Sequence, residues 1–185
     1  MKHLLLALLL VLLTSVVALA QAPPISSPVG LSLGLGGGVS IPTGDAANAW
    51  KTGWNGGGKL RLTSVLPFTL VGSVAYHSLP EKVTDKSDAM WMVGGGLEYA
   101  LPGVGVSPYL GADLTVNIFD NQGSGSSSIT RGGLGLGGGL LFSLPGFGQF
   151  DASVKYQMLN AIGKESGDPS VSQVAAGLTL MATIL

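Results

Sequence analysis

The chain of 185 residues has no cysteine. No disulfide framework, thiol nucleophile or thiolate metal site can be built from it. Charge is scarce too. Nine Lys and Arg and ten Asp and Glu make up 10% of the residues, against about a quarter in a soluble domain. The net charge of −1 offers no field for a nucleic acid. Histidine is limited to His3 and His77, so no metal centre and no cofactor site is expected. After the first twenty residues no apolar run reaches the roughly 20 residues of a membrane helix. Yet 46% of the chain is hydrophobic, and it holds 30 glycines. Its apolar residues must therefore act in short pieces.

The start of the chain is a separate matter. Lys2 and His3 precede an apolar stretch from Leu4 to Val17, and Ala18-Leu19-Ala20 offers small residues for cleavage before Gln21. That pattern is a secretory signal peptide. Residues 1–20 are expected to be removed and 21–28 to form a Pro/Ser linker. Residues 29–185 are expected to form one domain, of a size that suits a single fold.

That domain is organised around Met90 to Ile118. Trp91, Val93, Gly95, Leu97 and Tyr99 alternate with Met92, Gly94, Gly96 and Glu98. After Leu101-Pro102-Gly103, Leu110, Ala112, Leu114, Val116 and Ile118 alternate with Tyr109, Gly111, Asp113, Thr115 and Asn117. Period two marks strands with one apolar and one polar face, and Pro-Gly turns the chain between them. The same alternation recurs over 29–41, 58–65, 68–77, 133–143, 149–159 and 171–185. Short Leu-Pro connections at Leu66-Pro67, Leu101-Pro102 and Leu144-Pro145 alternate with long loops from about 42, 78, 119 and 160. An even number of strands with alternating short and long connections predicts an all-β, eight-stranded antiparallel up-and-down transmembrane β-barrel, long loops outside.

Charge and aromatics follow that pattern. Lys59, Arg61, Glu98, Asp113, Asp151 and Lys155 all fall on the polar face, and the remaining charges apart from Lys2 of the signal lie near the long loops. An Arg or Lys facing mid-bilayer lipid costs about 2–4 kcal/mol, whereas a water-soluble sheet would carry charge outside. Phe68, Tyr99, Phe142 and Phe150 lie outward near the short turns. Tyr76, Trp91, Phe119 and Tyr156 lie toward the loops. The two sets predict the interfacial girdles of a membrane barrel.

An eight-stranded barrel is just wide enough to be filled by side chains. The three bases and three acids are therefore expected to pair across the lumen as a plug. The inward glycines of strands one and six leave space, which keeps a narrow channel for water, ions or small solutes as the alternative. Trp50 and Trp54, in a polar loop from Thr43 to Gly57, are candidate contacts for an outside ligand. The glycine runs 34–38 and 135–139 lack the helix a phosphate loop must open. His77 and Ser78, with Glu81 or Glu98, would suit a lipid-modifying enzyme. Adjacent strand residues point to opposite faces, so that alternative is remote and the chain is expected not to be an enzyme.

Ser40-Ile41-Pro42-Thr43-Gly44-Asp45, Gly94-Gly95-Gly96-Leu97-Glu98-Tyr99 and Ser107-Pro108-Tyr109-Leu110-Gly111-Ala112 resemble segments of the small eight-stranded outer-membrane barrel domains of the OmpA/OmpX class. The resemblance covers essentially all of the chain after residue 28. It implies the outer membrane of a diderm bacterium, with outer-membrane lipids and the barrel-insertion machinery as partners. A monomeric barrel acting as a surface-exposed structural or interaction protein is the leading expectation; the extracellular ligand is not legible in the sequence.

Overall fold

A computed structural model describes residues 29–64, 67–84, 86–101, 103, 105–120, 128–165 and 167–184. The expected signal peptide and linker lie outside the described residues, as do Leu66 and Pro102 of the short turns. The strands are β1 (Gly30–Thr43), β2 (Gly53–Thr63), β3 (Thr69–Pro80), β4 (Ser87–Ala100), β5 (Val106–Asp120), β6 (Ile129–Leu144), β7 (Gly148–Ile162) and β8 (Ser172–Thr183). One helical turn, α1 (Ala46–Ala49), follows β1.

Each strand pairs antiparallel with the next, and β8 pairs with β1 to close the barrel. The register sets like with like. Tyr76 lies opposite Trp91, Leu114 opposite Leu134, and Phe142 opposite Phe150. Because side chains alternate along every strand, one register assigns every residue to the lumen or to the outer surface.

That assignment inverts a water-soluble protein. Leu35 is 74% and Leu110 69% exposed on the outer face, while Asp151 on the inner face is 0% exposed. Ser40, Asn117 and Gln173 are equally enclosed. Apolar surface left in water forgoes about 25 cal/mol per Å², so a leucine-studded outer face calls for a hydrocarbon solvent. Met90 and Leu159 fill the lumen toward the loops, and Leu141 and Met181 toward the short turns.

The strands run further than the sequence pattern predicts. β1 continues through Pro42, which the sequence marks as its end, and β5 begins before Pro108. Both prolines sit where a ladder has stopped on one side: β1 pairs with β2 only as far as Ser40, and β5 with β4 only from Tyr109. A missing N–H there breaks no ladder bond. β2 likewise starts at Gly53 instead of Gly58, so Trp54 and Asn55 belong to a strand and not to a loop. Asp88, Asp120 and Arg131 lie within β4, β5 and β6 rather than beyond them.

The orientation can be tested directly because the chain has no cysteine of its own. Lys86 lies in a long connection and Phe147 in a short one. A Lys86→Cys variant should react with a membrane-impermeant maleimide on intact cells, and Phe147→Cys only after permeabilisation. The opposite pattern would turn the barrel around.

Candidate functional site

The lumen is built in layers, and the one nearest the short turns carries the charge. Lys59 and Arg61 rise from β2, Glu98 from β4, Tyr109 from β5 and Asp151 from β7. Lys59 Nζ lies 2.7 Å from Glu98 Oε1 and 2.6 Å from Asp151 Oδ2. Arg61 reaches Glu98 Oε2 at 2.9 Å and donates to Gln149 Oε1 at 3.1 Å. Tyr109 donates to Asp151 Oδ1 at 2.9 Å, and both cations lie over its ring, at 5.1 and 5.8 Å from the centroid. Lys155 pairs with Asp113 beside this group. All six ionisable residues singled out from sequence are thus brought together as ion pairs. Removing charges from water is costly unless partners compensate, and here each charge faces an opposite one.

Tyr109 is the member that sequence reasoning missed. It falls on the polar face of its strand, but only the register shows what it meets: Gly139 on β6. A Cβ at Gly139 would come within 2.8 Å of the Tyr109 ring. Gly135 and Gly137 repeat the arrangement, since a Cβ there would run into Asp113 and Lys155. The space beside the β6 glycines is therefore occupied by the side chains of neighbouring strands.

Above the charges lies a neutral polar layer. Asn55 donates to Ser40 Oγ at 2.9 Å, Ser40 Oγ lies 2.9 Å from His77 Nδ1, and Gln173 Nε2 lies 3.3 Å from the same nitrogen. Ser40, His77 and Gln173 thus meet around one imidazole nitrogen. Gln173 also donates to Gln157 at 2.8 Å. A cavity of about 120 Å³ separates the two layers, bounded by Lys59, Lys155, His77 and Gln157. The conceivable catalytic set does not form. His77 is 1% exposed and faces the lumen, its hydroxyl partner is Ser40 and not Ser78, and Glu81 bonds Thr84 instead. No carboxylate contacts His77 among the described residues.

The loop-side mouth holds a third feature. Trp50, which bridges to Glu81 beyond α1, donates from Nε1 to Asp88 Oδ2 at 2.7 Å. Arg131 reaches Asp168 at 3.4 Å. Asn160 fastens the far end of the β7–β8 connection, donating to the Pro169 carbonyl at 2.8 Å and accepting from the Val171 N–H at 2.9 Å. These residues, with Phe119, Asp120 and Ile129, enclose a cavity of about 250 Å³.

The aromatics fall into clusters on the outer face. Trp54, Tyr76 and Trp91 stack in succession, with centroids 5.5 and 5.2 Å apart. Phe68 packs on Tyr99 at 5.8 Å and Phe142 on Phe150 at 6.1 Å, and Tyr156 stands outward on β7. Two placements differ from expectation. Trp54 is a strand residue, 56% exposed within the loop-side cluster, because β2 begins at Gly53, three residues before its glycine run. Phe119 pairs opposite the lumen-facing Met90, so its parity turns it into the mouth cavity and out of the girdle. Trp50 remains outside the strands, half-buried.

A family model of the outer membrane protein beta-barrel domain matches residues 6–181. No curated protein sequence matches the chain. Among solved structures, Neisserial surface protein A is similar at 18% identity and a TM-score of 0.66, over 82% of this chain and 96% of that one. The N-terminal β-barrel domain of Pseudomonas aeruginosa OprF is similar at 14% identity and a TM-score of 0.50, over 84% and 98%. Yersinia pestis Ail, the attachment invasion locus protein, in complex with the heparin analogue sucrose octasulfate, is similar at 22% identity and a TM-score of 0.50, over 83% and 98%.

The charge layer predicts a large penalty for unpairing. Glu98→Ala leaves Lys59 and Arg61 without their shared carboxylate, and breaking a buried pair costs about 3–5 kcal/mol. Urea unfolding of the refolded barrel in vesicles should show a loss of that size. Gly135→Val, which drives a side chain into Asp113, should also lower the midpoint. A barrel indifferent to both changes would show that the layer is not a packed network.

Proposed function

The chain belongs to the outer-membrane protein β-barrel domain family, and from that premise we propose that it is a surface-exposed structural and interaction protein with a closed lumen. The observation that carries this is the charge layer. Arg61, Glu98 and Asp151 are almost fully enclosed, Glu98 pairing with Arg61 and Lys59 and Asp151 with Lys59, and the β6 glycines are filled by their neighbours. A lumen sealed by its own ion pairs leaves the outer rim as the working part. The barrel is a rigid platform set in outer-membrane lipid, and the loop-side mouth with Trp50 is the contact surface. It is placed there by the barrel-insertion machinery and works as a monomer, since a closed sheet leaves no edge to pair with another chain. Catalysis has no support in the arrangement around His77.

The Ail structure holds a sulfated heparin analogue. In the mouth of this chain Asp88 and Asp120 lack a cationic partner among the described residues, which favours ligands of the other sign.

A second reading, a narrow conduit, draws on the cavity of about 120 Å³ above the charges. Planar-bilayer recording separates the two. The unaltered barrel should be silent. Arg61→Ser with Lys155→Ser removes two long side chains and unpairs Glu98 and Asp113, and should open cation-selective conductance. Steady, sizeable conductance from the unaltered barrel would replace the platform with the conduit. For the platform itself, replacing residues 46–51 by Gly and Ser should reduce retention of expressing cells on surfaces that hold them, with heat-modifiable migration unchanged. Undiminished retention would remove Trp50 and its loop from the contact surface.

A further inference from the structure

The mouth cavity combines three features. Its volume of about 250 Å³ exceeds the roughly 150 Å³ that holds a benzene in an apolar protein cavity. Two aromatic rings, Trp50 and Phe119, form part of its wall. Its charge is unbalanced: Asp88 and Asp168 face one base, Arg131, which is committed to Asp168 at 3.4 Å, and Asp120 stands exposed at the rim. Asp88 accepts from the Trp50 indole N–H, and among the described residues neither Asp88 nor Asp120 has an ion-pair partner.

The site is also prearranged. The Trp50–Asp88 bond at 2.7 Å holds the indole, and donation to a carboxylate makes the ring face richer in electrons. Asn160 fastens the opposite wall at Pro169 and Val171. Little ordering is left for binding to impose. An aromatic face beside an uncompensated carboxylate is the arrangement that attracts an organic cation, and indole is the strongest of the aromatic faces for this.

We propose that the loop-side mouth binds an organic ammonium group carried on an apolar body. The ammonium lies between Trp50 and the carboxylates of Asp88 and Asp120, and the apolar body lies against Phe119 and Ile129. This rests on the platform reading only in that the mouth must face outward to meet its ligand. The same chemistry comes from two sources, a free quaternary or aryl ammonium compound and the lysyl side chain of a partner protein.

The test uses the folded barrel in phosphatidylcholine vesicles, whose lipids carry no net charge, and follows indole emission and titration heat. Benzyltrimethylammonium should bind saturably in the millimolar range or tighter, and benzyl alcohol and phenylacetate should bind much more weakly. Asp120→Asn should weaken the cation about threefold, the scale of one exposed charge pair, and Asp88→Asn should weaken it at least as much. Trp50→Leu should abolish the emission change. Each variant is checked for heat-modifiable migration, so a misfolded barrel is recognised. N-acetyl-lysine methylamide supplies the second arm: tighter binding than benzyltrimethylammonium assigns the site to a protein partner, and weaker binding assigns it to free ammonium compounds. Equal binding of the alcohol, preference for phenylacetate, or indifference to both Asp→Asn changes overturns the proposal. If binding fails while Lys86→Cys is still labelled from outside, the ligand class is wrong and the outward-facing platform stands.

Discussion

Closure of the sheet is the constraint on which the rest depends. Hydrocarbon offers no hydrogen bonds, and each unpaired backbone N–H or C=O left in it costs several kcal/mol. β1 and β8 meet that demand by pairing from Ser32 with Thr183 to Thr43 with Ser172. A sheet left open at β1 would present such a row of groups to lipid. Once closed at eight strands, the barrel has a fixed bore, and everything inside must fit it.

The bore explains the glycines better than flexibility does. Gly135, Gly137 and Gly139, at successive lumen positions of β6, are glycine because the strands beside it carry the long or branched side chains that need the room. Asp113 and Tyr109 lean over from β5, and Lys155 from β7. A charged layer can then assemble at full packing in a narrow tube. The ion pairs contribute less to stability than their short distances suggest, because desolvation offsets most of the attraction. Their larger effect is to fill the bore beside the β6 glycines. In the platform we propose, that closed lumen leaves function to the rim, where loops tolerate change and the rigid scaffold holds them in place.

The rim is also where sequence reasoning failed most. Trp50 and Trp54 look equivalent in the sequence, two tryptophans in a polar stretch. The strand takes Trp54 onto the outer face against Tyr76, while α1 and the bridge to Glu81 hold Trp50 over the mouth. Phe119 looked like a girdle residue because it is aromatic and near a strand end, yet its pairing with Met90 turns it inward. Asp88, Asp120 and Arg131 were legible only as charges near loops. Their convergence on one cavity depends on four strands and two connections that the sequence does not bring together.

Within the segments it marked as strands, the sequence by itself determined which residues face lipid and which face the lumen, because strand parity is local and an alternation of period two has only one consistent assignment where charge must avoid hydrocarbon. Strand number, the antiparallel order and the membership of the charge layer followed from the same rule. Only the tertiary structure decided the pairing within that layer, the role of Tyr109, the buried placement of His77 and the existence of a mouth cavity. Those depend on register between strands and on how far each strand runs past its prolines. Such distances are set by the closure of the whole sheet, and no short stretch of sequence encodes them.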